Sequence, residues 1–431
     1  MRFEGYECYK DSGIEWLDTI PTEWEMRRIK EIFSIAEGQV NPLVEPYKSM
    51  ILIAPNHIEK NTGKIIYTEI SSEQGAISGK YYVHSGELIY SKIRPALNKI
   101  CKIDFDCLCS ADMYPLKVNN QSNNSYYMQV FLCIDFVNYV SADSSRVAMP
   151  KVNRDSLRLY RFPFPPLKTQ QKIATYLDTQ TQKIEKEINL LKEKIEKYKE
   201  LKQTLINETV LRGLDKGVEL KDSGIEWIGE IPKNWEIKRL KELVKNILSG
   251  GTPTSNNEVY WTNGTINWCN IKDMGRDKLL TKTERKITQS AFISKNLKLI
   301  PKETILYSIY ATLGRVNITK IETTINQAIL AIFENKKKIN KIYFIYYLEF
   351  IEKNIQLFAN FNTQYNLNAD IVKRLNIVVP PLKEQTQIAN YLDEKTQKID
   401  NITQTISKKI ELLKEFRKTL VNDVVTGRVK V

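Results

Sequence analysis

The sequence predicts a mixed α/β chain made by internal duplication: two similar globular domains, separated by two long helices that pair as an antiparallel coiled coil about a pseudo-two-fold axis. Three observations predict it. Lys10-Asp-Ser-Gly-Ile-Glu-Trp16 recurs letter for letter as Lys221 to Trp227. A second block, Pro165-Pro166-Leu167-Lys168 leading through Gln171, Ile173, Ala174, Tyr176, Leu177 and Asp178 to Thr181-Gln-Lys-Ile184, returns as Pro380 to Lys383 leading to Thr396-Gln-Lys-Ile399. After each Pro-Pro-Leu, proline and glycine vanish for some forty residues and apolar residues settle into three-four spacing.

A chain of 431 residues exceeds what one core organises, so several domains are expected. The first globule spans 1–167. It opens on the repeated motif, continues to Ile20-Pro21 and Trp24, and carries short β-like runs at Leu88–Ser91 and Lys99–Ile103. A central helical spacer follows at 168–212, with its seam at Ile173, Leu177, Ile184, Ile188, Leu191, Ile195, Tyr198 and Leu205 and with Lys and Glu on its flanks. The second globule, 213–382, repeats the opening through Ile231-Pro232 and Trp235. Its Ile305–Ser308 lines up with Leu88–Ser91, and Ile342–Phe358 reads as a helix. A second spacer, 383–431, carries the seam Ile388, Leu392, Ile399, Ile406, Ile410, Leu413 and Leu420. Gly213 and Gly427 stand where each helix should stop. A helix of about 44 residues is roughly 66 Å long and cannot bury an apolar stripe alone, so the two stripes are expected to cover each other. The ends of the two halves match while their middles diverge, which places individual information in the middles.

With 42% hydrophobic residues the chain is not disordered. Its most apolar stretches, 126–140 and 342–351, are short and interrupted by Asp135 and Glu349, and the first residues lack the apolar core of a secretory signal. A cytoplasmic chain without membrane contact is expected. The six cysteines are irregularly spaced and only His57 and His84 could complete a metal site, so neutral, buried thiols are expected rather than zinc ligands or disulfides. The net charge of +13 suggests a polyanionic partner. It is unevenly spread: 1–167 holds 19 basic against 20 acidic residues, whereas 221–382 holds 24 against 15.

Catalytic signatures are missing. No G-x-G-x-x-G follows a strand, and Asn41-Pro42-Leu43-Val44 only faintly echoes the Asn/Asp-Pro-Pro-aromatic motif of amino-methyltransferases. Gly75-Ala-Ile-Ser-Gly79-Lys80 is one residue short of a phosphate loop and lacks the following Ser/Thr, so it reads as a turn. Asp277 with Glu284-Arg285-Lys286 has the spacing of ordinary surface charge, and neither histidine lies near a nucleophile in sequence.

The duplicated Lys-Asp-Ser-Gly-Ile-Glu-Trp…Ile-Pro-x-x-Trp, the Pro-Pro-Leu-Lys…Ile-Ala…Tyr-Leu-Asp block and the two long helices together resemble the DNA-specificity subunit of type I restriction-modification enzymes, over essentially the whole chain. The resemblance implies that the globules are two target-recognition domains, each reading half of a split double-stranded DNA sequence, and that the chain has no catalysis or cofactor of its own. It implies two methyltransferase subunits, docked on the helices and using S-adenosylmethionine to methylate adenine. It also implies, where the complex restricts, further subunits driven by ATP and Mg²⁺. The rival readings are a coiled-coil scaffold for other partners and a self-contained restriction enzyme; the latter lacks motifs in this sequence.

Base edges are read by amides and guanidinium forks, and phosphates are held by cations, so the candidate DNA-binding residues are those types in loops of the private middles. In the second globule they are Tyr310, Thr312 and Arg315, then Asn362, Gln364, Tyr365, Asn366 and Asn368, with Asn270 and Lys272 as a third group. In the first they are Lys92, Arg94 and Lys99, then Arg146, Lys151, Asn153 and Arg154, with Asn56 and His57 opposite Asn270. Solvated loop or helix-cap roles compete for each of them. Trp16, Trp24, Trp227 and Trp235 are common to both halves and cannot distinguish two sequences, so they are expected to pack each globule against the helices.

Overall fold

The computed structural model describes residues 4–144, 150–275, 278–354 and 367–431. The chain forms two compact units, Met1–Lys192 with Ile406–Val431, and Glu193–Thr405. Each unit therefore takes the beginning of one long helix and the end of the other, which sets the two helices antiparallel.

In the first unit the elements run β1 (Tyr9–Ile14), β2 (Leu17–Pro21), β3 (Glu25–Arg28), α1 (Ile29–Ile32), β4 (Phe33–Ile35), β5 (Leu52–Ile53), β6 (Tyr81–Val83), β7 (Leu88–Ser91), β8 (Ile100–Lys102), β9 (Cys107–Cys109), β10 (Met113–Val118), α2 (Asn124–Leu132), α3 (Ile134–Ser144), α4 (Arg154–Leu159) and β11 (Arg161–Phe164), before the long helix α5 (Leu167–Arg212). The second unit follows with β12 (Leu220–Asp222), β13 (Glu230–Pro232), β14 (Glu236–Arg239), α6 (Leu240–Leu243), β15 (Val244–Ser249), β16 (Ile266–Cys269), β17 (Leu279–Leu280), β18 (Arg285–Ile287), α7 (Gln289–Ser294), β19 (Ile305–Ser308), β20 (Val316–Thr319), β21 (Thr324–Ile325), β22 (Ile329–Glu334), α8 (Lys341–Asn354), α9 (Ala369–Lys373) and β23 (Asn376–Val379), then the second long helix α10 (Leu382–Val425).

The repeated motif is a hairpin. In the first copy β1 pairs with β2, the Asp11 carboxylate accepts from Gly13 N at 2.7 Å, and Gly13 takes φ +71°, a conformation that suits glycine. Asp222 accepts from Gly224 N at 2.9 Å and Gly224 takes φ +69°. Asp-Ser-Gly recurs because both copies need the same side-chain-closed turn.

The middles share more than their sequences show. The sheet β4-β10-β7-β8 of the first unit has the strand order of β15-β22-β19-β20 in the second, which adds β17 at its edge. A short parallel pair, β5 with β9, matches β16 with β21. The edges of that small sheet match too, each as a full strand in one unit and a single bridge in the other: β6 pairs with β9 where the second unit has the bridge Ile300–Thr323, and β18 pairs with β16 where the first unit has the bridge Ile51–Ile70. The private part of each globule is thus its residues and loops rather than a strand of its own.

Both long helices enter and leave their globules by duplicated contacts. Gln170 donates to Pro165 O at 2.8 Å and accepts from Asn123 N at 2.9 Å; Gln385 donates to Pro380 O at 2.8 Å and accepts from Asn340 N at 2.7 Å. At the other helix ends, where C-terminal carbonyls lack intrahelical donors, a buried tyrosine supplies one. Tyr126 Oη donates to Val425 O at 3.3 Å and Tyr343 Oη to Val210 O at 3.2 Å. Gly427 and Gly213, at φ +77° and +76°, close α10 and α5 against the faces of Trp24 and Trp235.

The expected seam is buried at Ile173, Leu177, Ile184 and Ile188, and at Ile388, Leu392, Ile399, Ile406, Ile410 and Leu420. Leu191, Ile195, Tyr198, Leu205 and Leu413 are half-buried. Ile206, Val210, Val421 and Val424 are buried additions, on the turns that meet the globules. Lys202 pairs with Asp400 and Lys409 with Glu187, both at 2.7 Å, on the flanks. Trp16 packs edge-on to Phe136 and Phe162, and Trp227 stacks on Phe350 against the core that also holds Ile206 and Val210 of α5 and Ile388 and Leu392 of α10. Five of the six cysteines are buried, and burial raises the thiol pKa of each.

Candidate nucleic-acid interface

In each globule the separately nominated segments meet beside the same strand. β7 delivers the chain into Lys92–Asn98, where Val152 N donates to Lys92 O at 2.8 Å, Arg94 N donates to Pro150 O at 2.9 Å, and Ile93 bridges to Lys151. β19 delivers the chain into Ile309–Arg315, and Leu367 N donates to Ile309 O at 3.1 Å. One surface in each unit therefore combines the loop after the central strand with the segment entering the last short helix.

On that surface several candidates are committed to structure. Asn153 caps α4 by accepting from Ser156 N at 2.7 Å, and Asn368 caps α9 by accepting from Ile371 N at 2.8 Å. Because they occupy equivalent places, a shared capping role explains both, and it engages the amide oxygen of each. Arg154 is likewise a clamp: its guanidinium donates to Ala36 O at 2.8 Å and Ile35 O at 3.4 Å and lies 3.3 Å from Glu37. Lys92 donates to Ala111 O, Lys99 to Pro55 O, and Arg315 to Met274 O at 2.8 Å, so these cations brace neighbouring loops. Thr312 contributes its carbonyl to the Ser308 hydroxyl, and the Asn270 amide closes its own turn onto Lys272 N at 2.7 Å.

His57 corrects the expectation outright. Its side chain is fully buried, Nδ1 accepts from Ala54 N at 3.3 Å, and Nε2 lies 3.5 Å from Glu69. Burial pulls its pKa below the ordinary histidine value against the opposing pull of Glu69. It holds the turn that presents Asn56 and cannot touch DNA. Arg146, Asn362, Gln364, Tyr365 and Asn366 lie outside the described residues.

The candidates facing solvent are Asn56, whose amide donates to the Tyr67 hydroxyl, Arg94, Lys151 and Asn153 in the first unit and Lys272, Tyr310 and Asn368 in the second. Arg94 sits at φ +49°, held there by the turn Pro95–Leu97, and its guanidinium has no partner among the described residues. Lys80 of the phosphate-loop-like stretch is buried, and its ammonium folds back onto Ser78 O at 2.6 Å, so that stretch is the expected turn. Sequence reasoning passed over Arg285 as ordinary surface charge, whereas its guanidinium lies 3.5 Å over the Trp261 ring. An arginine that faces one tryptophan across a strand pair and stacks on another from the preceding loop leaves no short motif by which to find it.

A family model described as the type I restriction modification DNA specificity domain matches residues 21–197 and again 232–412. The chain belongs to that family. The two matches are the two halves of the duplication, and they make this a non-catalytic DNA-specificity subunit with two recognition domains. It is 37% identical over 180 residues to the EcoDI specificity subunit of Escherichia coli, covering 40% of this chain and 39% of that protein. It is 24% identical to the MjaX specificity subunit of Methanocaldococcus jannaschii, named there as putative, covering 100% of this chain and 99% of that one. Among solved structures, a chain from a study of type I complex assembly and conformational transition matches with TM-score 0.77 at 19% identity, covering 95% of this chain and 99% of that one. The HsdS subunit of Thermoanaerobacter tengcongensis matches with TM-score 0.58 at 19% identity, covering 95% and 98%. No helix among the described residues is long and apolar enough to cross a membrane.

Proposed function

We propose that this chain reads a bipartite double-stranded DNA target, with 1–167 and 213–382 each recognising one half-site, and that it recruits two adenine methyltransferase subunits through the spacers 168–212 and 383–431. The observation that carries this reading is the division of each globule into a duplicated frame of sheets and loops whose residues are private to it. A frame common to both halves supports identical partners, while private loops support two different readings. In this account S-adenosylmethionine is bound by the methyltransferase subunits, and ATP with Mg²⁺ by restriction subunits where they join, in the cytoplasm.

The helices also carry exposed apolar side chains: Leu190, Leu412 and Phe416 in the first unit and Leu201 and Ile402 in the second. Such residues on an otherwise charged coiled coil suit a protein partner better than solvent. At 46 residues α5 is about 69 Å long, which is close to two turns of duplex. Lengthening both helices together should lengthen the tolerated gap between half-sites. An unchanged gap with binding retained would contradict the ruler.

The first globule, at 19 basic against 20 acidic residues, has no bulk attraction for DNA. Titration of a duplex carrying the target should therefore show weak, steeply salt-dependent binding by the chain alone and tight, selective binding with the methyltransferase subunit added. Equal affinity in both titrations would refute recruitment as the source of tight binding.

A further inference from the structure

The geometry points to Arg285 as a guanine-reading residue of the second recognition domain, an inference that rests on the DNA-reading function proposed above. β18 lines the β16 edge of the second unit, where the first unit has the bridge Ile51–Ile70 and no arginine. A residue that distinguishes one half-site from the other belongs where the frame is shared and the side chain is not. Arg285 stands opposite Trp268 in the β16–β18 register, and Trp268 meets Trp261 edge to face at 5.1 Å. The guanidinium lies 3.5 Å over Trp261 and 5.9 Å from the Trp268 centroid, so one indole lies against it and a second lies nearby.

The residue is nevertheless exposed, and its side chain has no ion pair or hydrogen bond among the described residues. Being exposed, unpaired and stacked on a ring together separates it from the cations braced on this surface. Arg315 spends a donor on Met274 O, and Lys278 pairs with Glu349 at 3.0 Å. Stacking on indole removes much of the rotamer freedom that an arginine otherwise loses on binding while leaving its N–H edge open. A fixed, unpaired guanidinium fork is the group that donates in parallel to O6 and N7 of guanine. Its neighbours agree with a reading surface: Glu284 N donates to Asp273 at 2.8 Å, tying β18 to the turn that presents Lys272, and the same turn holds Arg315 through Met274.

The test uses the whole complex with its methyltransferase subunits. Adenine-methylation mapping of the wild type gives the motif, and the mapping is repeated with Arg285→Ala and Arg285→Lys. Both variants should lose discrimination at one guanine of the second half-site, by roughly 5- to 100-fold, with the first half-site unchanged. Lysine keeps the charge but loses the fork, so a wild-type motif from Arg285→Lys would reduce the contact to a phosphate and overturn base reading. An unchanged motif from Arg285→Ala would do the same. A second measurement needs no variant: 7-deazaguanine placed at each guanine of the second half-site in turn should weaken binding of the wild-type complex at one position, and no effect at any position would also overturn the assignment. A wild-type complex that methylates no bipartite motif would instead remove the underlying function, whatever Arg285 does.

Discussion

The two units solve the same joint with different tolerances. In the first, the glycine that ends the long helix is jammed: a Cβ on Gly427 would lie 2.5 Å from Pro21 Cδ and 2.6 Å from its Cγ. In the second, a Cβ on Gly213 would meet Trp235 and Glu384 at 3.0 Å. The tryptophans differ in the opposite sense. Trp235 Nε1 donates to Glu384 at 2.9 Å, whereas Trp24 Nε1 is buried without a partner among the described residues. One joint relies on close packing and the other on a charged hydrogen bond, so a duplicated architecture does not require duplicated energetics.

The largest expected effect breaks this comparison at its glycines. Gly427→Ala should cost about 3 kcal/mol, since both the positive φ and the ring contact oppose a methyl group, and Gly213→Ala about 1–2 kcal/mol. Denaturant midpoints of the two variants measure the difference, and equal losses would show that Pro21 moves aside freely. Next come the tryptophans. Trp235→Phe should cost about 1–2 kcal/mol more than Trp24→Phe, because it strands the Glu384 carboxylate, whereas Trp24→Phe deletes a donor that was already unsatisfied. Thermal unfolding of both variants reads this directly.

A smaller effect sharpens the assignment of caps. Asn153→Ala and Asn368→Ala should each cost about 1 kcal/mol and leave the methylated motif as it was. A changed motif at either position would return that residue to the reading surface. The smallest effect is a pH dependence confined to the first unit. Asp178 faces the Gln129 amide at 3.3 Å, and burial raises its pKa above the ordinary carboxylate value against the opposing effect of that hydrogen bond. A raised folded pKa favours the folded state below the unfolded value and loses that contribution as pH rises through the folded one. Asp178→Asn should therefore gain stability relative to wild type as pH rises from below 4 toward neutrality, measured by unfolding at each pH. The equivalent carboxylate of the second unit, Asp393, instead accepts from the Tyr346 hydroxyl at 2.8 Å.

The frame was legible in the sequence where identical tasks demanded identical residues. Asp-Ser-Gly closes a turn in both hairpins, Pro-Pro-Leu starts both helices, glycine ends both, and apolar spacing marks the buried seam. The shared sheets escaped notice because many apolar residues fill a buried strand equally well. Met113–Val118 and Ile329–Glu334 hold the same place in their sheets with almost no letters in common. The reading surface was legible as segments but not as residues. The loop after the central strand and the stretch before the last short helix do come together, yet Asn153 and Asn368 spend their amide oxygens and Arg154 its guanidinium on the fold, and His57 is enclosed. An amide that caps a helix and an amide that reads adenine have the same letter, and only the position of its neighbours separates them. Arg285 shows the converse, since its stack depends on Trp261, two dozen residues away and outside the strands, which only the fold brings against it.

The central claim is that one doubled frame carries two different readers. Genome-wide mapping of methylated adenine in cells with and without this gene tests it most directly. The account predicts a motif that depends on the gene and consists of two unlike half-sites separated by a gap of fixed length. A gene-dependent motif that is continuous, or two half-sites of the same sequence, would contradict it.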